Sequence, residues 1–240
     1  MMGSMITTRR PTSRRLALAV TVSLVALPAL TGCSGGSDQS KTPTQVLAEA
    51  KKKLDDTSGV SIGLSAADIP KDTDALVEAT GVGTHQPGFE GDLKMLVNNL
   101  SIKVPVIAVE GQVFAKLPFT TKYTEIDPAD YGAPDPADLM DSTQGLSSWL
   151  TAVTGVKKGD QTRDGDKVLT TYTGTLPGSA VAPVIPSATP KADFDATFSI
   201  DDEGYLAAAE VVGPFYGDAG DVDYTIKLDD YGTDKDITKP

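Results

Sequence analysis

The feature that most constrains the fold of this chain is an alternation of apolar and polar residues with a period of two. Apolar residues occupy every second position from Val60 to Ala66, from Phe194 to Ile200 and from Val222 to Leu228. This period predicts strands that bury one face of a sheet. Short turns such as Asn98-Asn99 and Asp164-Gly165 separate consecutive strands, and parallel strands would need much longer connections. The pattern therefore predicts an antiparallel meander.

The same analysis predicts about ten strands in total, with short helices between them. A first helix is expected after an N-cap at Thr44, and further helical pieces fall within 127–155 and 179–185. Helices kept apart from an antiparallel sheet are typical of the α+β class. An antiparallel sheet of this size must twist and curl, which turns its apolar face inward.

Curling predicts a cavity, because the inner residues of the sheet are mostly modest in size. Ala196 and Ala208 are examples, and aromatic residues make up only 6% of the chain. An apolar space capped by short helices would suit an acyl chain, although the same periodicity also fits an ordinary packed core. The residues expected to line the cavity are Ile62, Leu93, Met95, Val97, Val104, Val106, Leu139, Leu146, Trp149, Leu150, Val153, Val181, Ile185 and Phe198.

The N-terminal segment predicts export and lipid attachment. Four arginines precede an apolar run from Leu16 to Leu27, and Leu30-Thr31-Gly32-Cys33 follows. This order is that of a secretory signal, and the last four residues resemble the lipobox of bacterial lipoproteins, in which the cysteine is acylated. The apolar run is shorter than the ~20 residues that span a bilayer. We therefore expect a signal peptide at 1–32, an acylated flexible tether at 33–43 and one domain at 44–240.

The charge of the mature chain excludes one large class of partners. All 33 acidic residues follow Cys33, whereas four of the 21 basic residues precede it, which leaves a net charge of 17 − 33 = −16. Nucleic-acid binding needs a basic surface, so no nucleic-acid partner is expected. The same charge disfavours adsorption of the whole protein to an anionic membrane.

Catalysis is not expected either. Gly59 to Gly63 matches the G-x-S-x-G pattern of esterases, but Ser61 lies inside a predicted strand that follows a helix, whereas the esterase motif needs a strand and then a helix. The chain has a single histidine, His85, and a single cysteine, Cys33. A zinc site is therefore not predicted, no cofactor is implied, and no catalytic or metal-binding residue is assigned.

Several sequence blocks, in this order and spacing, resemble the LppX/LprA/LprF/LprG family of mycobacterial and related actinobacterial lipoproteins. They follow a lipobox, a Ser/Gly-rich tether and a helix rich in Ala and Lys. The blocks span nearly all of the mature chain, and they are Glu110–Leu117, Tyr131–Pro136, Gln144–Leu150, Gly174–Val181 and Asp236–Pro240. Pro105 departs from the pattern, because it removes a hydrogen-bond donor from a strand.

The resemblance implies a strongly curved antiparallel half-barrel with helices on its concave side and a large hydrophobic cavity between them. It also implies a cell-envelope carrier of triacylated lipids or glycolipids, such as phosphatidylinositol mannosides, lipoarabinomannan or triacylglycerol. Such a carrier would be anchored to the membrane outside the cytoplasm and would work beside an efflux-type membrane transporter. The alternative is a surface adhesin or scaffold that uses the same sheet with a filled core.

Overall fold

The structure, a computed structural model, describes residues 41–131 and 133–240. The predicted signal peptide and Cys33 lie outside the described residues. The described sheet and its core belong to one compact unit, Ser40–Pro240. Within the described residues, no helix combines the length and the apolar character needed to cross a membrane.

Eleven strands form one antiparallel sheet. They are β1 Gly59–Ala67, β2 Ala75–Thr84, β3 Gly88–Val97, β4 Leu100–Val109, β5 Gln112–Ala115, β6 Thr124–Ile126, β7 Thr154–Asp164, β8 Lys167–Pro177, β9 Asp193–Asp201, β10 Leu206–Gly213 and β11 Val222–Asp229. Their order across the sheet is β6-β5-β4-β3-β2-β1-β11-β10-β9-β8-β7. In the part of the chain that the structure describes, the edge strands β6 and β7 do not pair, so the predicted half-barrel is confirmed as an open sheet.

The strand β6 accounts for the difference between about ten predicted strands and the eleven observed. It has only three residues, Thr124–Ile126, and alternation cannot be recognised over so short a segment. It pairs with β5, where Val113 faces Ile126. The short strand ends the sheet on that side with a small free edge.

An irregularity in β10 overturns the prediction that Ala208 faces inward. The register between β10 and β9 shifts between Leu206 and Ala208. Leu206, Ala209 and Val211 are buried, whereas Ala208 is half-buried and faces Lys227 of β11. A bulge adds one residue to a strand and so moves the following side chains to the other face. Alternation counted from the sequence cannot detect that extra residue.

Helix α1, Pro43–Asp56, begins earlier than the predicted cap at Thr44. Thr42 is the N-cap: its hydroxyl accepts from the Gln45 N–H at 3.3 Å, and the Gln45 side chain accepts from the Thr42 N–H at 2.9 Å. Pro43 occupies the first helical position, where its missing N–H costs nothing. Leu47, Ala50 and Leu54 form the buried face of the helix.

One face of the sheet, called here the inner face, packs against the remaining helices. We call residues 133–152 the lid. It contains 3-10 helices at Pro136–Met140 and Leu146–Ser148 and the short helix α2, Trp149–Ala152. The lid lies on β2, β3, β4 and α1. A further short helix, α3 at Gly178–Val181, follows β8.

Candidate functional site

The lid and the inner face of the sheet enclose an apolar cavity of about 170 Å³. The strands β1, β2, β3 and β11 form its floor, the lid covers it, and residues 184–187 and Tyr216 complete its wall. Its lining residues are Ile62, Leu64, Asp74, Ala75, Leu76, Ala79, Phe89, Leu93, Met95, Ala133, Pro134, Pro136, Leu139, Leu146, Val184, Ile185, Pro186, Ser187, Tyr216, Tyr224 and Ile226.

The cavity borders two separate clusters of buried apolar residues. The larger cluster joins α1, the second half of the lid and the strands from β8 to β11. The smaller joins Phe89, Val106 and Ala108 to β5 and to Ala137 of the lid. Leu139 is half-buried and packs against both clusters. The unfilled space therefore lies where the two parts of the core fail to meet completely.

A small polar group stands at one end of this apolar space. The hydroxyl oxygens of Tyr216 and Tyr224 are 2.9 Å apart, and the Tyr224 hydroxyl donates to the Leu76 carbonyl at 3.2 Å. Burial, reinforced by the neighbouring Tyr216 hydroxyl, raises the pKa of Tyr224 above its usual range. Both effects keep Tyr224 a neutral hydroxyl, whose proton is donated to the Leu76 carbonyl.

The second half of the lid is hydrogen-bonded to other elements, whereas the first half is held by side-chain packing. Lys51 of α1 donates to the Ser142 carbonyl at 2.6 Å, and the Ser147 hydroxyl donates to Asp55 at 2.5 Å. Trp149 donates its indole N–H to the Ala180 carbonyl at 2.9 Å. By contrast, the hydrogen bonds that the structure gives to residues 133–141, among the residues described, join positions close in sequence. Only side-chain packing holds that first half to the sheet.

Six of the fourteen residues expected to line the cavity do lie at its wall: Ile62, Leu93, Met95, Leu139, Leu146 and Ile185. A second group is buried in the larger cluster, away from the wall: Trp149, Leu150, Val153, Val181 and Phe198. Val106 is buried in the smaller cluster, and Val104 packs against it. Val97 is half-buried at the end of β3 and belongs to none of these groups.

Several wall residues were not singled out from the sequence. Tyr224 and Ile226 stand at alternating positions of β11, so the alternation of that strand could have identified them. Tyr216 lies in a loop between β10 and β11, where no periodicity marks it. Pro134 and Pro136 belong to the lid. As prolines they indicated irregular structure, but no sequence pattern placed them at the cavity wall.

Ser61 of the esterase-like pattern and the histidine His85 have separate hydrogen-bond partners. Ser61 is the third residue of β1, and its hydroxyl donates to Asp230 at 3.1 Å. His85 follows β2, with its Nε2 atom 2.8 Å from the Leu54 carbonyl oxygen. Among residues 41–131 and 133–240, no three His, Cys, Asp or Glu side chains come together as a metal site would need.

An open antiparallel sheet with an apolar cavity under a lid defines a half-barrel protein rather than a closed barrel or a sandwich. The chain belongs to the LppX_LprAFG lipoprotein family, whose model matches residues 42–238. Its fold is similar to that of LprF from Mycobacterium bovis, with 18% identity, a TM-score of 0.69, and coverage of 82% of this chain and 96% of that one.

The fold is also similar to that of the lipoprotein LppX from Mycobacterium tuberculosis. The identity is 16%, the TM-score is 0.59, and the alignment covers 82% of this chain and 98% of that one. A search of curated proteins found no significant match. At these identities the two structures establish the fold, and the family model establishes membership.

Proposed function

We propose that the protein is a cell-envelope lipid carrier, which holds the acyl chains of a triacylated lipid or glycolipid in its cavity and moves the lipid away from the plasma membrane. The observation that carries the proposal is the unfilled apolar space between the two core clusters. Each methylene buried there contributes about 0.8 kcal/mol, so chain capture needs no catalytic group. The polar head would remain outside, with the tyrosine pair near the first oxygen atoms of the lipid.

The small size of the cavity implies that the lid must move for a lipid to be loaded. Its volume of about 170 Å³ is close to that of a ~150 Å³ cavity that holds a benzene molecule. Pockets that bury larger ligands measure roughly 300–1,000 Å³. The described state is therefore closed, and loading requires the first half of the lid to move outward, because residues 133–141 lack the bonds to α1 that hold residues 142–149.

The alternative is a surface adhesin or scaffold with the same sheet, which requires a filled inner face. The space beside Leu139 favours the carrier over this alternative, since a static scaffold has no use for a gap between two parts of its core. The family resemblance favours the same choice. It also suggests an efflux-type membrane transporter as the partner that receives or delivers the lipid.

The carrier proposal is tested by native mass spectrometry of the chain beginning at Ser34, purified from an actinobacterial host. The variant Leu93→Trp places a large side chain into the cavity wall. Lys94→Trp is the matched control, because Lys94 is the next residue of β3 and is exposed on the outer face, the face opposite the lid. We expect a stoichiometric multi-acyl lipid in the wild type and in Lys94→Trp, and its loss from a folded Leu93→Trp.

A wild-type chain that is free of lipid after purification, and that takes up none when lipid is added, would exclude the carrier and favour the scaffold. Equal loading of Leu93→Trp and the wild type would place the lipid elsewhere. Thermal melting of both variants would show that each is folded, so that a loss of lipid reports on the cavity.

Membrane attachment through an acylated Cys33 is a second part of the proposal, supported by the lipobox resemblance and by the family. Two or more acyl chains hold a protein stably on a bilayer. In the full-length chain, Cys33→Ala should therefore move the protein from the membrane fraction to the soluble fraction, as measured by immunoblotting of separated fractions. Retention of Cys33→Ala in membranes at the wild-type level would contradict the anchor.

A further inference from the structure

The two large apolar side chains that the structure describes as exposed lie at the same end of the sheet. Leu100 has 67% of its surface exposed, and Phe119 is fully exposed. Leu100 follows the turn between β3 and β4. Phe119 lies in the connection from β5 to β6, which leaves β5 beside Pro105 of β4 and runs toward the end of the sheet where β4 begins. The cavity reaches this end of the sheet through Leu76 and Met95. We call the segments 98–100 and 116–123 the rim.

The backbone at Phe119 is held in an unfavourable conformation. The Thr120 N–H donates to the Leu117 carbonyl at 3.1 Å, which closes a turn with Pro118 and Phe119 at its centre. Phe119 has φ of +66°, a value that bulky residues rarely adopt and that glycine or asparagine accepts readily. This turn favours glycine, yet it carries an exposed phenylalanine. The strain indicates that the Phe119 side chain contacts a partner outside the domain.

The segment that carries Phe119 has a charge opposite in sign to that of the whole protein. Residues 116–123 contain Lys116 and Lys122 and no acidic residue, whereas the chain carries a net charge of −12. Among the described residues, neither lysine has a carboxylate within 4.0 Å. Tyr123 ends the segment. An exposed phenylalanine between two such lysines is the combination that binds the surface of an anionic bilayer.

Two aspartates next to the rim hold the turn in its other part. The Asn98 N–H donates to Asp74 at 2.7 Å, and the Asn99 side chain donates to Asp72 at 2.7 Å. These bonds hold the turn that presents Leu100. The donors are a backbone N–H and an amide, which do not offset the charge of the two carboxylates, and Leu100 supplies a second, weaker apolar contact.

We propose that the rim docks the protein on an anionic lipid bilayer, with the Phe119 side chain inserted among the lipids and Lys116 and Lys122 at the head groups. Docking in this position places the end of the cavity near the membrane surface, where a lipid can pass between bilayer and protein. The overall negative charge then limits adhesion of the rest of the surface. Contact with the membrane is thus confined to one end of the sheet.

The test is co-sedimentation of the chain beginning at Ser34, which lacks the acylation site, with two kinds of vesicle. One is pure phosphatidylcholine and the other an equimolar mixture of phosphatidylcholine and phosphatidylglycerol. We expect the wild type to bind the anionic vesicles. Phe119→Asn should bind them at least about tenfold more weakly, because one buried aromatic side chain is lost. It should melt no lower than the wild type, because asparagine accepts the positive φ.

The lysines are tested by a double variant and a matched control. Lys116→Gln/Lys122→Gln should lose about fivefold in affinity per lysine on anionic vesicles and bind both kinds of vesicle alike. Lys157→Gln/Lys158→Gln removes the same charge from exposed positions of β7, at the opposite edge of the sheet, and should bind as the wild type does.

Absence of wild-type binding to the anionic vesicles would overturn the proposal, and so would equal binding by Phe119→Asn. An equal loss in the β7 control would overturn it as well, since attraction would then be unspecific. Leu93→Trp, with its cavity blocked, should still bind the vesicles. Vesicle binding and lipid loading are therefore separate readouts, and the failure of one does not imply the failure of the other.

Discussion

At the scale of single residues, two glycines allow the inner face to curve closely around an aromatic ring. Gly81 of β2 and Gly91 of β3 face each other across the strand pair. A Cβ atom at Gly81 would lie 2.5 Å from Cζ of Phe89, and one at Gly91 would lie 2.2 Å from the Thr80 carbonyl oxygen. No side chain fits at such distances. The ring of Phe89, which is part of the cavity wall, therefore fits only because positions 81 and 91 are glycines.

Gly91→Ala should destabilise the protein by roughly 2–4 kcal/mol, because backbone atoms of β2 would have to move. Gly63→Ala is the matched control: a Cβ atom there has no neighbour within 4 Å, and alanine in a strand interior is more favourable than glycine. Urea unfolding measures both. A Gly91→Ala protein as stable as Gly63→Ala would show that β2 and β3 adapt freely at this point.

At the scale of elements, the lid consists of short 3-10 helices and turns fastened at one end to α1. Ser147 is buried, and its hydroxyl donates to Asp55 while accepting from Lys51 at 3.1 Å. Lys51 and Asp55 also form an ion pair at 2.8 Å. Elements with few backbone bonds to the rest of a protein open at low cost. The fastened end thus acts as a fixed point about which residues 133–141 can move.

Ser147→Ala should loosen this fixed point. We expect a loss of roughly 1–2 kcal/mol in unfolding free energy, because two hydrogen bonds of a buried hydroxyl are removed. Hydrogen exchange should accelerate in residues 142–152 more than in β1 or β11. Ser148→Ala is a suitable control, because its side chain makes no capping hydrogen bond. If both variants exchange alike, Ser147 does not hold the lid.

Sequence patterns predicted some of these elements and missed others. Regular alternation identified β9 and β11. Leu146, Trp149, Leu150 and Val153 were expected on the inner side, and all four are buried. The bulge in β10 carries no such signal. The cavity wall was recognised in part, because alternation assigns a residue to a face but cannot say whether a lid covers that face fully.

At the scale of the whole molecule, the sheet consists of two consecutive halves. The first six strands form one side and the last five form the other, and β1 and β11 join them in the middle. The C-terminal segment then returns over the outer face, where Lys235 pairs with Glu90 at 3.1 Å and Ile237 is buried. The two core clusters correspond broadly to these halves, and the cavity lies at their junction.

The pairing of β1 with β11 determines when, during synthesis, the sheet can be completed. Residues 61–67 of the first strand pair with residues 223–229 of the last, so the first half of the sheet keeps an unsatisfied edge until almost all the following strands have been synthesised. Contacts between such distant residues form slowly. In a polypeptide synthesised from its amino end, the two halves of the sheet therefore cannot join until nearly all residues of the domain are available.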